Sequence, residues 1–495
     1  MNMKLNITAA SLTLCLAAGC AQFGLIQNEQ SPYAKETLHP SDGWAFLEGS
    51  VTGGSNAVEE LIFTVDSRKA FVDALSLAGN EPKIIQIKGT INLSSDDEGK
   101  ELTEADYAVA PYEFEAYKDA YAPAVWNINP LVKGRPLRKL TGEQEEARKA
   151  SAANQKAHIV VSIPSNTTLI GLGKDAKVIK GTLSIGSGTE NVIIRNINFQ
   201  DAFDYFPAWD PGDSFKVDTS YPGCQDVYEN VDVGPQKCRG GRWNAEYDLI
   251  SISGATRIWI DQCTFSDGDR TDDQFPPIYP FPQNEITQKV QHHDGLIDIT
   301  NQADLITISN SHFHDHDKAI LIGNSDKKTQ DEGHLRVTLH SNFFENVGQR
   351  MPRVRYGKVH SYNNLFVGNA LGAGTGNNSY EAHLNSLSIA PKHNVVRNVL
   401  GAGINSAIYS ENNVFFIENG SAANAVSNMK GEVFFDSGSW FNGVPVDLLQ
   451  LANEASGKPM SAEVGWTPNL YGENNLLPTE DVERFVKRHA GAGKL

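Results

Sequence analysis

Cysteine is scarce, at 5 in 495 residues. That is too few for a disulfide-built scaffold. Positive charge is also short: 42 Lys and Arg face 60 Asp and Glu, for a net charge of −18. Such a surface argues against nucleic acid or anionic membranes as main partners. Beyond the first twenty residues, no apolar run is long enough to span a bilayer. Helix signals are sparse as well. What remains is an ordinary globular composition, 40% hydrophobic, which excludes wholesale disorder. The length fits a few domains or one large all-β domain with an extensive core.

The chain opens with Lys4, a short apolar run from Leu5 to Ala18, then Gly19 and Cys20. This pattern predicts a signal peptide over residues 1–19, with the run too short for a transmembrane helix. Leu16-Ala17-Ala18-Gly19-Cys20 is similar to a bacterial lipobox, although Leu16 stands one place further from the cysteine than usual. A lipidated Cys20 would attach the chain to a membrane; an ordinary signal peptide with an incidental cysteine is the alternative. Residues 20–40 read as a linker and 41–495 as one domain. The chain is expected to be exported by a bacterium, as a secreted protein or an envelope lipoprotein, and to act as a monomer. Cys224 and Cys238 lie in a Gly-, Pro- and Asp-rich stretch. In an oxidising compartment they are expected to close a short disulfide loop, against the alternative of two free thiols. Cys263 sits in an apolar strand pattern and predicts a buried, inert thiol.

One amphipathic helix with a glycine stop is predicted over 66–79. The charged stretch 104–156 reads as partly helical and exposed. Elsewhere short β-branched runs alternate with Asn, Asp and Gly. Six of these runs share a template in which an apolar residue is followed seven places later by Phe. They run from Val192 to Phe199, Ile258 to Phe265, Ile306 to Phe313, Val337 to Phe344, Val359 to Phe366 and Ile408 to Phe415. The residue four places in is Asn196, Gln262, Asn310, Ser341, Asn363 or Asn412. A template held at one phase predicts a solenoid of stacked rungs, a right-handed parallel β-helix capped by the early helix. The bend residues would form a hydrogen-bonded ladder. A β-sandwich also has many short strands, but it does not require this shared phase. In a solenoid, long insertions gather on one face, and that face binds the ligand.

Four stretches carry chemistry. Asp248 closes Trp243–Asp248. Asp294 and Asp298 lie four apart beside an apolar strand, a spacing that puts both on one face of an extended segment. With Asp248 one rung away, the three make an oxygen-donor cluster suited to Ca²⁺. A solvated acidic surface is the alternative. His312, His314 and His316 present zinc-type donors, but at a strand-to-turn junction stacked or hydrogen-bonded imidazoles fit better. Lys318, after acidic neighbours, can meet an anion or stay in solvent. Arg350, Arg353 and Arg355 flank Pro352 in the densest basic cluster. It is either a solvated face or a fixed set of forks for carboxylates. A cation site beside arginines points to a polyanionic substrate.

These residues resemble the pectate lyases of polysaccharide lyase family 1. The resemblance is carried by Ile258-Trp259-Ile260-Asp261, Asp294-Gly-Leu-Ile-Asp298, His316-Asp317-Lys318 and Arg350-Met-Pro-Arg353-Val-Arg355-Tyr-Gly. It runs from Gly43-Trp44-Ala45 to the Ala490-Gly-Ala-Gly tail. It implies a β-helix that cleaves α-1,4-galacturonan by β-elimination and leaves a 4,5-unsaturated sugar. By the same resemblance, Asp248, Asp294 and Asp298 match Ca²⁺ ligands, and Glu246 sits where some relatives have another. Arg350 matches the base that takes the C5 proton. Lys318 and Arg355 match residues that hold substrate carboxylates, with Arg353 beside them in a binding or structural role. A guanidinium normally stays protonated, so an arginine base implies an alkaline optimum. The segment Ser214–Gly241, with its two cysteines, departs from the general family pattern. A metal-independent pectin lyase, a non-catalytic pectin-binding protein and a hydrolytic polygalacturonase are the rival readings. The three aspartates favour pectate or low-methylated pectin over the first. Lys318 with Arg350 argues against the second, and the arginine cluster would go unexplained in the third.

Overall fold

The six copies of the template fold alike, as strand, bend and strand. Their first strands pair in parallel at one register: Val192 with Ile258, Ile258 with Ile306, Ile306 with Val337, Val337 with Val359 and Val359 with Ile408. At the bend the backbone turns left-handed, with φ of 55° at Asn196, 49° at Gln262, 44° at Asn310, 55° at Ser341, 50° at Asn363 and 47° at Asn412. Asn tolerates this region better than other side chains do, which explains why Asn stands at four of the six bends. The second strands then bring the template phenylalanines into one stack. Ring centroids are 5.3 Å apart for Phe199 and Phe265, then 4.9, 4.7, 5.0 and 4.8 Å through Phe313, Phe344, Phe366 and Phe415.

The computed structural model describes residues 30–122, 125, 131–132, 135–136, 140–216, 239–275, 278–279, 290–371, 395–471 and 476–495. Among them lie two ten-stranded sheets and one eight-stranded sheet, each built almost wholly of parallel pairs. Together they form the three walls of a right-handed parallel β-helix, as the template predicts. The expected signal peptide with Cys20, and the pair Cys224 and Cys238, lie outside the described residues. Cys263 is fully buried, and burial raises its thiol to about 12, the inert state expected. No helix among the described residues is long and apolar enough to cross a membrane.

The hydrogen-bonded ladder exists, but one residue later than the sequence reading placed it. Asn342 donates its amide to Asn364 Oδ1, and Asn364 donates to Asn413 Oδ1, both at 3.1 Å. Ser311 and Ser439 continue the ladder through backbone bonds at its two ends. The bend amides bond mostly to backbone carbonyls, Asn196 to Gly171 O and Gly173 O and Asn363 to Leu477 O and, at 3.4 Å, to Asn412 O. The residue after the bend points inward, where an amide must find a partner in the adjacent rung.

The early helix spans Arg68–Ala78. Ser67 Oγ accepts the Ala70 N–H at 3.3 Å, and Gly79 ends the helix at φ 52°. Phe71, Ala74 and Leu75 face the core at the edge of the first sheet. The charged stretch is helical over Glu104–Tyr107, Phe114–Ala120 and Glu143–Ile159, but it is not wholly exposed. The long helix buries Arg148, which binds Glu145 at 2.9 Å and the Phe206 carbonyl at 2.8 Å. Beneath it Tyr117, Trp243 and Tyr279 form an aromatic extension of the main core. Periodicity missed this face because its buried members are a charged pair and small residues.

Replacing Phe313 by Ala interrupts the stack at its centre. Urea unfolding is expected to show a loss of about 3–5 kcal/mol, the usual cost of a large buried ring.

Candidate active site

The site lies along the eight-stranded sheet, where the turn from the second sheet enters it. Ile297–Thr300 pairs with Ile250–Ser253 on one side and with Ile320–Ile322 on the other. Arg353–Val354 follows. Alternate residues of these strands point inward as Ile or Val and are fully buried. The residues between them form an outward row that runs Ser251, Asp298, Leu321, Arg353 by register. Asp294 stands just before its strand and Asp248 just before the neighbouring one. Asp294 N–H donates to Tyr247 O at 3.0 Å, which holds the two turns together. Lys318 ends the strand His312–Lys318, and Gln349 pairs with it one rung on. Arg350 comes next, with φ 61°, a conformation costly for a side chain that bulky. Residues more than a hundred positions apart thus share one edge.

The three aspartates are set against one another. Asp248 is buried, and burial with the neighbouring Asp298 and Asp294 drives its carboxyl well above the usual range. Burial and Asp294 raise Asp298 to about 7. Burial acts the same way on Asp294, but Lys318 overrides it and brings that carboxyl down. Lys318 Nζ donates to Asp294 Oδ1 at 2.5 Å and to Gln291 Oε1 at 3.3 Å. Asp248 Oδ1 accepts the Gly295 N–H at 2.8 Å. Among the described residues, Asp298 Oδ1 is buried without a hydrogen-bond partner. A Cβ on Gly295 would come 2.8 Å from Asp248 Oδ1 and 2.9 Å from Asp298 Oδ1. The missing side chain leaves a cradle between two carboxylates, and an oxygen-seeking cation fits it.

The arginines divide by partner. Arg355 is held: its Nε donates to Asp326 at 2.7 Å and its Nη1 to Gly323 O at 2.7 Å. Arg350 Nε and Arg353 Nε are buried without partners among the described residues. Burial first, then Arg355 and Arg350, lower the Arg353 guanidinium to about 10. Clustered cations of this kind gain most from an incoming carboxylate.

One sequence reading changes here, and the stacked, hydrogen-bonded histidines stand as expected. Glu246 is exposed and faces Lys156 at 3.5 Å rather than joining the aspartates. The three histidines do not share a site. His312 stacks on Phe343 at 4.6 Å and bonds Glu345, and His314 bonds Asp315. Asp315 has φ 50°, which breaks the alternation and turns His316 inward to Asp267. A second set of metal-type donors, Asp267, Asp272 and His293, was not legible in the sequence. Its members are already engaged: His293 binds Asp272 and Asp201, and Arg270 closes the lattice on Asp201.

A family model described as pectate lyase matches residues 138–222 and 224–495. The chain belongs to the pectate lyase family. A pectate lyase of Bacillus subtilis (strain 168) is 41% identical over 462 residues, 93% of this chain and 94% of its own. Pectate lyase A of Dickeya chrysanthemi is 34% identical, covering 92% of this chain and 89% of its own. A solved pectate lyase bound to a hexasaccharide superposes with a TM-score of 0.77 at 39% identity, over 94% of this chain and all of that one. In this pectate lyase the stacked rungs bring Asp248, Asp294, Asp298, Lys318, Arg350 and Arg353 to one edge, with Arg355 beside them.

The raised carboxyls set a pH dependence. A carboxyl at about 7 when folded and near 4 when unfolded keeps its proton longer in the folded state. Its contribution to stability is present below about pH 4 and is lost as pH rises through about 7. In EDTA, the Tm of Asp298→Asn relative to wild type is therefore expected to climb between about pH 5 and pH 8. A Tm difference that stays flat across that range would refute the assignment.

Proposed function

We propose that this pectate lyase is Ca²⁺-dependent and cleaves polygalacturonate or low-methylated pectin by β-elimination. The observation that carries the reading is the cradle over Gly295, with a partnerless Asp298 oxygen beside two partnerless arginine Nε groups. Asp248, Asp294 and Asp298 would hold Ca²⁺, which supplies charge to neutralise the uronate carboxylate next to the scissile bond. Lys318 adds a second cation, so negative charge building up on that carboxylate is held in a site partly closed to water. Arg350 takes the C5 proton. The C5–H and C4–O bonds break, the C4–C5 double bond forms, and the leaving oxygen gains a proton from solvent. Arg353 and Arg355 engage carboxylates on the polymer, which fixes its register. Export fits an extracellular polymer as substrate, with Cys20 as a lipid attachment point and Cys224–Cys238 as a bridge formed after export.

The test is the ultraviolet absorbance of unsaturated uronates released from polygalacturonate at alkaline pH. Wild type is expected to need Ca²⁺, and its rate to rise into the alkaline range. Arg350→Ala is expected to lose roughly 10²–10⁴-fold in kcat, the range for removing a general base. Release from highly methylated pectin alone, without Ca²⁺, would reassign the enzyme as a pectin lyase.

A further inference from the structure

The ion lattice beneath the site has one member that reaches both functional groups. His316 and Asp267 are 2% and 3% exposed. Asp267 follows the strand Thr264–Ser266 of the second sheet, so it stands on a rigid wall. His316 Nδ1 meets Asp267 Oδ1 at 2.6 Å. On the other side its Nε2 lies 2.9 Å from Asp294 O and 3.1 Å from Lys318 O. Carbonyl oxygens only accept, so Nε2–H donates to both. Those two carbonyls belong to the residues whose side chains meet in the groove.

We propose that Asp267 and His316 form a positioning dyad, which fixes the spacing between the Asp294 carboxylate and the Lys318 ammonium. The inference rests on the Ca²⁺-dependent reading above. Among the described residues, neither dyad side chain hydrogen-bonds to Asp248, Asp298 or the arginines; Asp267 acts through His316, and His316 through the two backbone carbonyls. With Nε2–H donating to the carbonyls, the Asp267 carboxylate can accept only from an Nδ1–H, so the ring carries both protons and the carboxylate fixes its angle, as a carboxylate does behind metal-ligating histidines. Here the ring holds two carbonyls in place of a metal. Asp294 and Lys318 lie 24 residues apart on different rungs, and the ring ties their main chains at one point. Backbone bonds from Leu296 and Ile297 to Ala319 O pair the two rungs just beyond this point, and the ring extends that tie to the residues that carry the carboxylate and the ammonium.

Two amide substitutions separate positioning from packing. His316→Gln can place its amide near Nε2 and keep the donor to both carbonyls. His316→Asn can reach Asp267 but not the carbonyls. Ca²⁺ affinity is read by calorimetry with CaCl₂ in the absence of substrate, and kcat at saturating CaCl₂ on polygalacturonate. His316→Asn is expected to lose about tenfold or more in both, and His316→Gln to stay within about threefold of wild type. Equal losses in the two variants, or a lower Tm with unchanged affinity and kcat, would overturn the dyad. Should His316→Asn fail to fold, Asp267→Ala, which leaves the ring without its orienting acceptor, is expected to weaken Ca²⁺ binding, and unchanged binding there overturns the proposal. Wild type that binds no Ca²⁺ would overturn the calcium reading and the dyad together, whereas wild-type binding with unaffected variants overturns the dyad alone.

Discussion

In-register stacking of parallel rungs is the constraint on which everything else depends. Each rung places its neighbour about 4.8 Å away, whatever the length of loop between them. Asp248, Asp298, Lys318 and Arg350 therefore meet because their strands share a register, not because they are close in sequence. The phenylalanine stack and the asparagine ladder lock that register from within. A slip would expose a ring on one side and leave a buried amide unpaired on the other, both costly. The core is thus the ruler for the active site.

Charge explains why this edge is a site rather than one more outer row. Three carboxylates are gathered where solvation is poor, and a single lysine answers one of them. Nearby, two arginines bury an Nε that has no hydrogen-bond partner among the described residues. Neither half is balanced locally. A divalent cation and a polyanion complete both together, since the cation satisfies the aspartates and the polymer's carboxylates satisfy the arginines. An acidic protein with no net attraction for a polyanion can still bind one this way, through local patches rather than overall charge.

Much of this is legible in the sequence, because a repeat at fixed phase carries its own geometry. The template located the strands, the bends and the ring stack, and glycine after an amphipathic run located the end of the early helix. The errors share a cause. The ladder was shifted by one residue because the left-handed bend reverses which side chain faces inward, and no periodicity reports that. The helix Glu143–Ile159 was read as exposed because its buried face is held by the Arg148–Glu145 pair rather than by large apolar residues. His316 looked like one of three equal histidines until the φ of Asp315 turned it inward.

Asp267 shows the limit most clearly. It lies 49 residues from His316, in a segment with no motif and no unusual spacing. Its partner can be known only once the rungs are stacked, because the contact crosses from one coil to the next. The side chains that touch substrate sit in dense local motifs, since several must converge on one sugar. The groups behind them need only reach a backbone carbonyl, and a solenoid offers such carbonyls from any rung. His316 stands in the same motif as Lys318, whereas Asp267 behind it stands 49 residues away, so a sequence reading finds the reacting groups first and their outer support last.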